Sequence, residues 1–166
     1  MIISIDGPAA SGKSTTAKLL SDKLGYIHLN SGLLYRAVTY VFIKNNLFEK
    51  FEKSLIDFFL KNKIDLKGSN LDKVFWNEID ITEKLSNENI NKNISKISNN
   101  YLIRERLVDK QRLLSLNRNI VCEGRDIGTV VFPDADYKFY FKADLKSRTD
   151  RRYLDIRKKD SSITKN

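Results

Sequence analysis

The sequence predicts an α/β fold: a parallel core sheet interrupted by an inserted subdomain. Three observations carry this. Short apolar runs recur at Ile2-Ile3-Ser4-Ile5, Ile120-Val121-Cys122 and Lys138-Phe139-Tyr140-Phe141. Each reads as a buried strand. Helical spacing follows the first run, and the pattern changes between about 47 and 117. Strands alternating with helices imply parallel pairing, with the middle as an insert.

The elements follow in order. Ala17, Leu20 and Leu24 share a helical stripe over Lys13–Leu24, which Gly25 closes. Tyr26 to Leu29 reads as a second strand, and Ser31 opens and caps a helix through Tyr35, Val38 and Phe42. In the insert, Leu47–Lys61 reads as an amphipathic helix. Ile64-Asp65-Leu66, Lys73-Val74-Phe75-Trp76 and Ile79-Asp80-Ile81 alternate at period 2, as in a small antiparallel sheet. Asn87–Ile97 and Tyr101–Leu116 read as helices, and a basic helix starts near Lys146.

Composition narrows the class. The chain has 166 residues, a size suited to one domain. One cysteine, Cys122, excludes a disulfide framework and a cysteine zinc site. No apolar run approaches the roughly 20 residues of a membrane span, and no basic segment precedes Ile2. The expectation is a cytoplasmic protein with no membrane partner. The net charge of +9 points to polyanions, either nucleic acid or phosphorylated small molecules. From Lys138 onward there are ten basic and four acidic residues, so most of that charge sits at the end of the chain.

Gly7-Pro8-Ala9-Ala10-Ser11-Gly12-Lys13-Ser14 matches G, four residues, G-K-[ST], between a strand and a helix. Glycines let successive N–H groups turn inward around a phosphate, and the helix aims its positive end at the same point. Lys13 reaches the β- and γ-phosphates, and the Ser14 hydroxyl suits Mg²⁺. The residues expected to bind a nucleoside triphosphate are Gly7, Ala9, Ala10, Ser11, Gly12, Lys13, Ser14 and Thr15, with Ser14 as metal ligand. The architecture is then a three-layer sandwich of P-loop NTPase type.

Two further segments leave strands at the carboxyl edge, where open α/β sheets bind ligands. One is Leu29-Asn30-Ser31-Gly32-Leu33-Leu34-Tyr35-Arg36. The other is Glu123-Gly124-Arg125-Asp126-Ile127-Gly128-Thr129-Val130-Val131-Phe132-Pro133. An Arg beside an Asp between glycines fits a ligand clamp better than a simple ion pair, since Arg binds phosphate bidentately and Asp accepts from exocyclic amines.

With these segments the chain resembles the bacterial cytidylate kinases, P-loop nucleoside monophosphate kinases, from Met1 to about Tyr153. The most specific pieces are 124–135 and 31–39, supported by 77–82, 95–112, Arg148 and Arg151-Arg152. The resemblance implies transfer of the γ-phosphoryl group of Mg·ATP to CMP or dCMP, by a monomer with no nucleic-acid partner. Ser95, Arg104 and Asp126 would read cytosine, Arg36 and Arg125 would hold the CMP phosphate, and Ser31 would line the pocket. Lys13, Arg125, Arg151 and Arg152 would be catalytic, the last two from a lid. The resemblance divides the chain into a core (1–46 and 117–145), a monophosphate-binding insert (47–116) and the start of a lid (146–166). Asn30 stands where the family usually has Asp, and Leu33-Leu34 replaces a smaller first residue.

The residue inventory suits this chemistry. A monophosphate with a second pKa of about 6 is already nucleophilic near neutral pH, so no general base is needed; His28 reads as structural. The alternatives are another small-molecule P-loop kinase, an RNA-associated protein suggested by the charge, and a truncated inactive relative. A family member would carry the rest of the lid, a last core strand and a C-terminal helix after Asn166, so the expectation is four of five parallel strands and one open sheet edge.

Overall fold

A computed structural model describes residues 1–157. Four parallel strands form the core sheet: β1 (Ile2–Asp6), β2 (Ile27–Asn30), β6 (Ile120–Gly124) and β7 (Tyr137–Tyr140), in the order β2-β6-β1-β7. A separate antiparallel sheet holds β3 (Ile64–Lys67), β4 (Lys73–Trp76) and β5 (Ile79–Asp80), in that order. Residue alternation along the strands divides the core. Ile3, Ile5 and Val121 pack with Ala17 of helix α1 (Lys13–Leu24) on one face. Ile120 and Cys122 join the larger cluster on the other. Helix, sheet and helix make three layers.

The second helix, α2 (Ser31–Lys44), is the member shared by core and insert. Its buried residues Leu34, Val38, Val41 and Phe42 belong to one continuous apolar cluster with Leu55, Phe58, Val74, Ile90, Ile97 and Ile103. These come from α3 (Phe51–Lys61), β4, α4 (Glu88–Ser98) and α5 (Tyr101–Ser115). Phe42 is fully buried, with ring centroids 5.4 Å from Phe48 and 4.7 Å from Phe58. Polar ties reinforce the insert. Trp76 Nε1 donates to Asn62 Oδ1 at 2.8 Å, and Lys110 of α5 pairs with Asp65 of β3. Burial pushes the Asp65 carboxyl upward, but bonds from Lys110 and Lys63 outweigh it and hold its pKa below the usual range.

Several expected boundaries shift. The second strand begins one residue late because Tyr26 N–H closes onto Ser21 O at the end of α1. The segment expected as one helix over 47–61 starts as a 3₁₀ turn, Leu47–Lys50, before α3. Ser31 does not cap α2: Asn30 does, its Oδ1 accepting from Gly32 N–H at 3.0 Å. After β6 the chain forms a single π-helical turn, Ile127–Val131, where only a loop was expected. The basic helix, α6, covers Leu145–Arg157. The expected lid segment 146–166 continues over 158–166, which lie outside the described residues.

Because Phe42 is the side chain on which α2, α3 and the 47–50 turn converge, Phe42→Ala is expected to cost about 3–5 kcal/mol. Urea denaturation followed by circular dichroism measures it. A loss under about 1 kcal/mol would show that the cluster repacks around the gap.

Candidate active site

The loop between β1 and α1 has the backbone that a phosphate cradle needs. Ala10 and Gly12 adopt positive φ (59° and 95°), the left-handed conformation that anion-binding loops use to turn their amides inward. At Gly7 a Cβ would meet Phe141 O at 2.6 Å, so only glycine fits against β7's end. Gly12 is the N-cap of α1 and provides no side-chain cap, leaving the first helical amides available to an anion. Inside the loop the buried Ser11 hydroxyl has no hydrogen-bond partner. Lys13 opens the helix, and burial pushes its ammonium pKa below 10.5; Glu123 and Asp6 oppose that shift and Arg125 adds to it. A half-buried cation at the mouth of amides is a site awaiting negative charge. Thr15 is exposed on the first turn of α1.

Beside the loop lies an acidic group that the sequence reading left inside a loop segment. Glu123, 1% exposed at the end of β6, accepts from Ser14 Oγ at 2.5 Å through Oε2. Its Oε1 lies 3.1 Å from His28 Nε2. A serine hydroxyl next to a carboxylate is an all-oxygen donor set, the type that Mg²⁺ prefers. Together with the partnerless Ser11 hydroxyl, these residues fit a metal-bound nucleoside triphosphate.

The acceptor side is built around α5 and the turn after β6. Arg104 pairs with Asp126 through one terminal nitrogen and donates to Ser98 O at 3.2 Å through the other. Arg125 is exposed beside Lys13. Arg36 crosses from α2 to the insert, donating to Leu85 O and Asn91 Oδ1, both at 2.9 Å. Burial and the neighbouring Arg152 lower its pKa. Ser95 is exposed on α4. The Ser31 hydroxyl is buried and donates to Glu123 O at 2.7 Å, tying α2 to the end of β6. From α6, Arg148 Nε donates to Ala9 O at 2.9 Å and Arg151 to Ala10 O at 3.3 Å, so both contact the phosphate loop.

Three residues near these groups were given no role by the sequence. Glu123 is the first. Tyr35 is the second: burial raises its phenol pKa, with Arg104 opposing and Asp126 adding, so it sits in the field of that pair. Arg148 is the third. Arg148 was already visible as a piece of the resemblance, and Glu123 left a signal as a lone acid at the carboxyl end of a core strand next to a P-loop; Tyr35 left none. Among the described residues, no helix is long and apolar enough to cross a membrane.

The parallel sheet, the amide-lined loop with Lys13 and Ser14, and the oxygen donors beside them define a P-loop kinase-like protein. The chain matches the cytidylate kinase family over residues 3–166, and it belongs to that family. It is 43% identical to a cytidylate kinase of Chloroherpeton thalassium, the match covering 98% of this chain and 69% of that protein. The corresponding protein of Fusobacterium nucleatum is 40% identical over 99% of this chain and 74% of its own length. A bifunctional pantoate ligase/cytidylate kinase of Prochlorococcus marinus is 41% identical over 95% of this chain, which spans 31% of that longer protein.

Lys13 supplies a pH test. Phosphate favours the charged ammonium, whose pKa in the free protein lies below 10.5, so ATP affinity is expected to fall as pH rises through that lowered value. Equilibrium titrations from neutral pH to 10.5 measure it. Lys13→Met should remove most of the affinity and the alkaline loss together; an alkaline loss that survives in the variant would assign it to another group.

Proposed function

We propose that this chain transfers the γ-phosphoryl group of ATP to CMP and dCMP, giving the diphosphate and ADP. The observation that carries the reading is the common edge. The phosphate loop and the Arg125-Asp126 segment leave adjacent strands, β1 and β6, at the same end. Donor and acceptor phosphates held there would meet between Lys13 and Arg125.

In this reading the backbone of 7–12, with Lys13, Ser14 and Thr15, holds the triphosphate. Arg36 and Arg125 hold the acceptor phosphate. Arg104, Asp126 and Ser95 select the base, and Ser31 supports the pocket wall through Glu123 O. Mg²⁺ arriving with ATP would be held by Ser14 and Glu123, and it supplies charge neutralisation on the β- and γ-phosphates. The core, 1–46 and 117–145, carries the donor site and supplies Ser31, Arg36, Arg125 and Asp126 to the acceptor; the insert, 47–116, adds Ser95 and Arg104; α6 begins a lid whose Arg151 and Arg152 act at the transferring group.

The chemistry is positioning. The acceptor oxygen needs no base, because a phosphate monoester is largely dianionic above its second pKa of about 6. What must be overcome is repulsion between two polyanions and the spread charge of the transition state. Lys13 and the arginines do this with fixed cations. The contacts of Arg148 and Arg151 with the phosphate loop support a lid that closes over the donor and excludes water.

Base selection follows from hydrogen-bond polarity. The Asp126 carboxylate accepts from the amino group of cytosine, where uracil offers only an oxygen. CMP is therefore expected to exceed UMP in kcat/KM by about a hundredfold or more. Asp126→Ala should cut kcat/KM for CMP and narrow that ratio in a coupled ADP-release assay. Equal turnover of both nucleotides by the unaltered chain would contradict the reading.

Glu123 tests the metal assignment. Removing a carboxylate that orients a ligand commonly costs 10- to 100-fold in metal affinity or activity, so Glu123→Ala should raise the Mg²⁺ concentration for half-maximal turnover by about that factor. A Mg²⁺ titration at saturating nucleotide decides it. An unchanged midpoint would place Glu123 outside the metal's environment.

A further inference from the structure

The π-helical turn 127–131 follows directly after Arg125 and Asp126, and two charged residues from elsewhere in the fold hold its two ends. At its start the buried Asp6 carboxylate, 7% exposed, accepts from Ile127 N–H through Oδ1 and from Gly128 N–H through Oδ2, both at 2.8 Å. At its end the Arg112 guanidinium donates through Nε to Val131 O and through a terminal nitrogen to Val130 O, both at 2.9 Å. The polarity is matched: an anion sits on the free amides and a cation on the free carbonyls. The turn also presses close on β1, since a Cβ at Gly128 would lie 2.6 Å from Ser4 Oγ.

This arrangement relieves Asp126 of an ordinary duty. Asp126 occupies the N-cap position of the turn, where an Asp side chain usually bonds the first free amides. Here it makes no cap bond, and its carboxylate pairs instead with Arg104. Asp6 has taken the amides. At the turn's ends, Val130 and Val131 N–H share Asp126 O, and Phe132 N–H returns to Ile127 O. A π turn is a rare conformation, and this one is held from outside at both ends.

We infer that Asp6 and Arg112 are positioning residues that clamp the 127–131 turn so that Asp126 is free to select the base. The inference rests on the reading of Asp126 given above. Asp6 also immediately precedes the phosphate loop, and its backbone pairs with Gly124 on one side and Tyr140 on the other. The clamp thereby fixes the base-selecting carboxylate relative to the donor site through a single residue. Its role is one of support, since packing and outer hydrogen bonds must lock a selecting side chain for it to discriminate.

The experiment compares Asp6→Asn, Arg112→Met and Arg112→Lys with the unaltered chain, alone and combined with Asp126→Ala. Asp6→Asn keeps the shape but turns an amide toward one of the two N–H groups. Asp6→Asn and Arg112→Met are each expected to lower the CMP-to-UMP ratio of kcat/KM by about tenfold, mainly through KM for CMP, with KM for ATP changing by less than about threefold. Arg112→Lys, with one ammonium for two carbonyls, should fall between Met and the unaltered chain. In the Asp126→Ala background these changes in ratio should vanish, because there is no carboxylate left to position. Amide hydrogen exchange gives a readout independent of activity: protection at 127–132 should drop in Asp6→Asn and Arg112→Met while that of β1 persists.

A fall in turnover shared equally by CMP and UMP, with the ratio unchanged, would reduce both residues to general structural roles and overturn the inference. Unchanged protection at 127–132 would overturn the clamp itself. If Asp126→Ala alone leaves the ratio intact, the base-selection reading fails. If Asp126→Ala narrows the ratio and the clamp variants do not, that reading stands and only the inference falls.

Discussion

The parallel pairing of β1 with β6 is the constraint on which the rest of the structure depends. Its register sets Asp6 opposite Gly124, so the phosphate loop and the Arg125-Asp126 segment emerge side by side. Parallel strands must send their following segments off the same edge, and that edge becomes the site. The close fit there tolerates little change. A Cβ at Gly124 would lie 2.6 Å from both Ser31 Oγ and Ile127 Cδ1, which explains a glycine at the last position of a buried strand. Glu123 one residue earlier serves both sides, its side chain taking the Ser14 hydroxyl and its carbonyl the Ser31 hydroxyl.

Charge is distributed along this edge as unequal shells. Lys13 and Arg36 are half-buried cations whose pKa values burial lowers, so each is held in the fold at some cost. Such groups gain most when a dianionic phosphate arrives, because the ligand replaces the solvation that folding removed. The carboxylates are partnered already: Asp6 by two amides, Glu123 by Ser14 and His28, Asp126 by Arg104. The result is an edge whose carboxylates already hold partners, while burial leaves Lys13 and Arg36 as cations that an arriving phosphate stabilises further.

The chain's own pattern made much of this legible. The strand, glycine loop and helix of 2–24 follow from a run of branched residues, the spacing of Gly7 and Gly12, and the 17–20–24 stripe. The insert's small sheet follows from alternation at 64–66 and 73–76. Cap placement did not follow: both Asn30 and Ser31 are good capping residues, and in the fold Asn30 caps while the Ser31 hydroxyl donates to Glu123 O. The π turn was equally hidden, since Asp6 and Arg112, which hold its ends, lie outside its own residues.

Elements, their order and the identity of the phosphate loop are thus consequences of local sequence, because periodicity and glycine spacing act within a few residues. The roles of Asp6, Glu123, Arg112 and His28 are not. Each is an ordinary polar residue in a strand or helix, and its partner lies far along the chain: Asp6 meets Ile127 and Gly128, and Glu123 meets Ser14. Those contacts exist only once the sheet has brought the strand ends together. Burial then decides which polar atoms must find partners there, and so which are left free to meet a substrate.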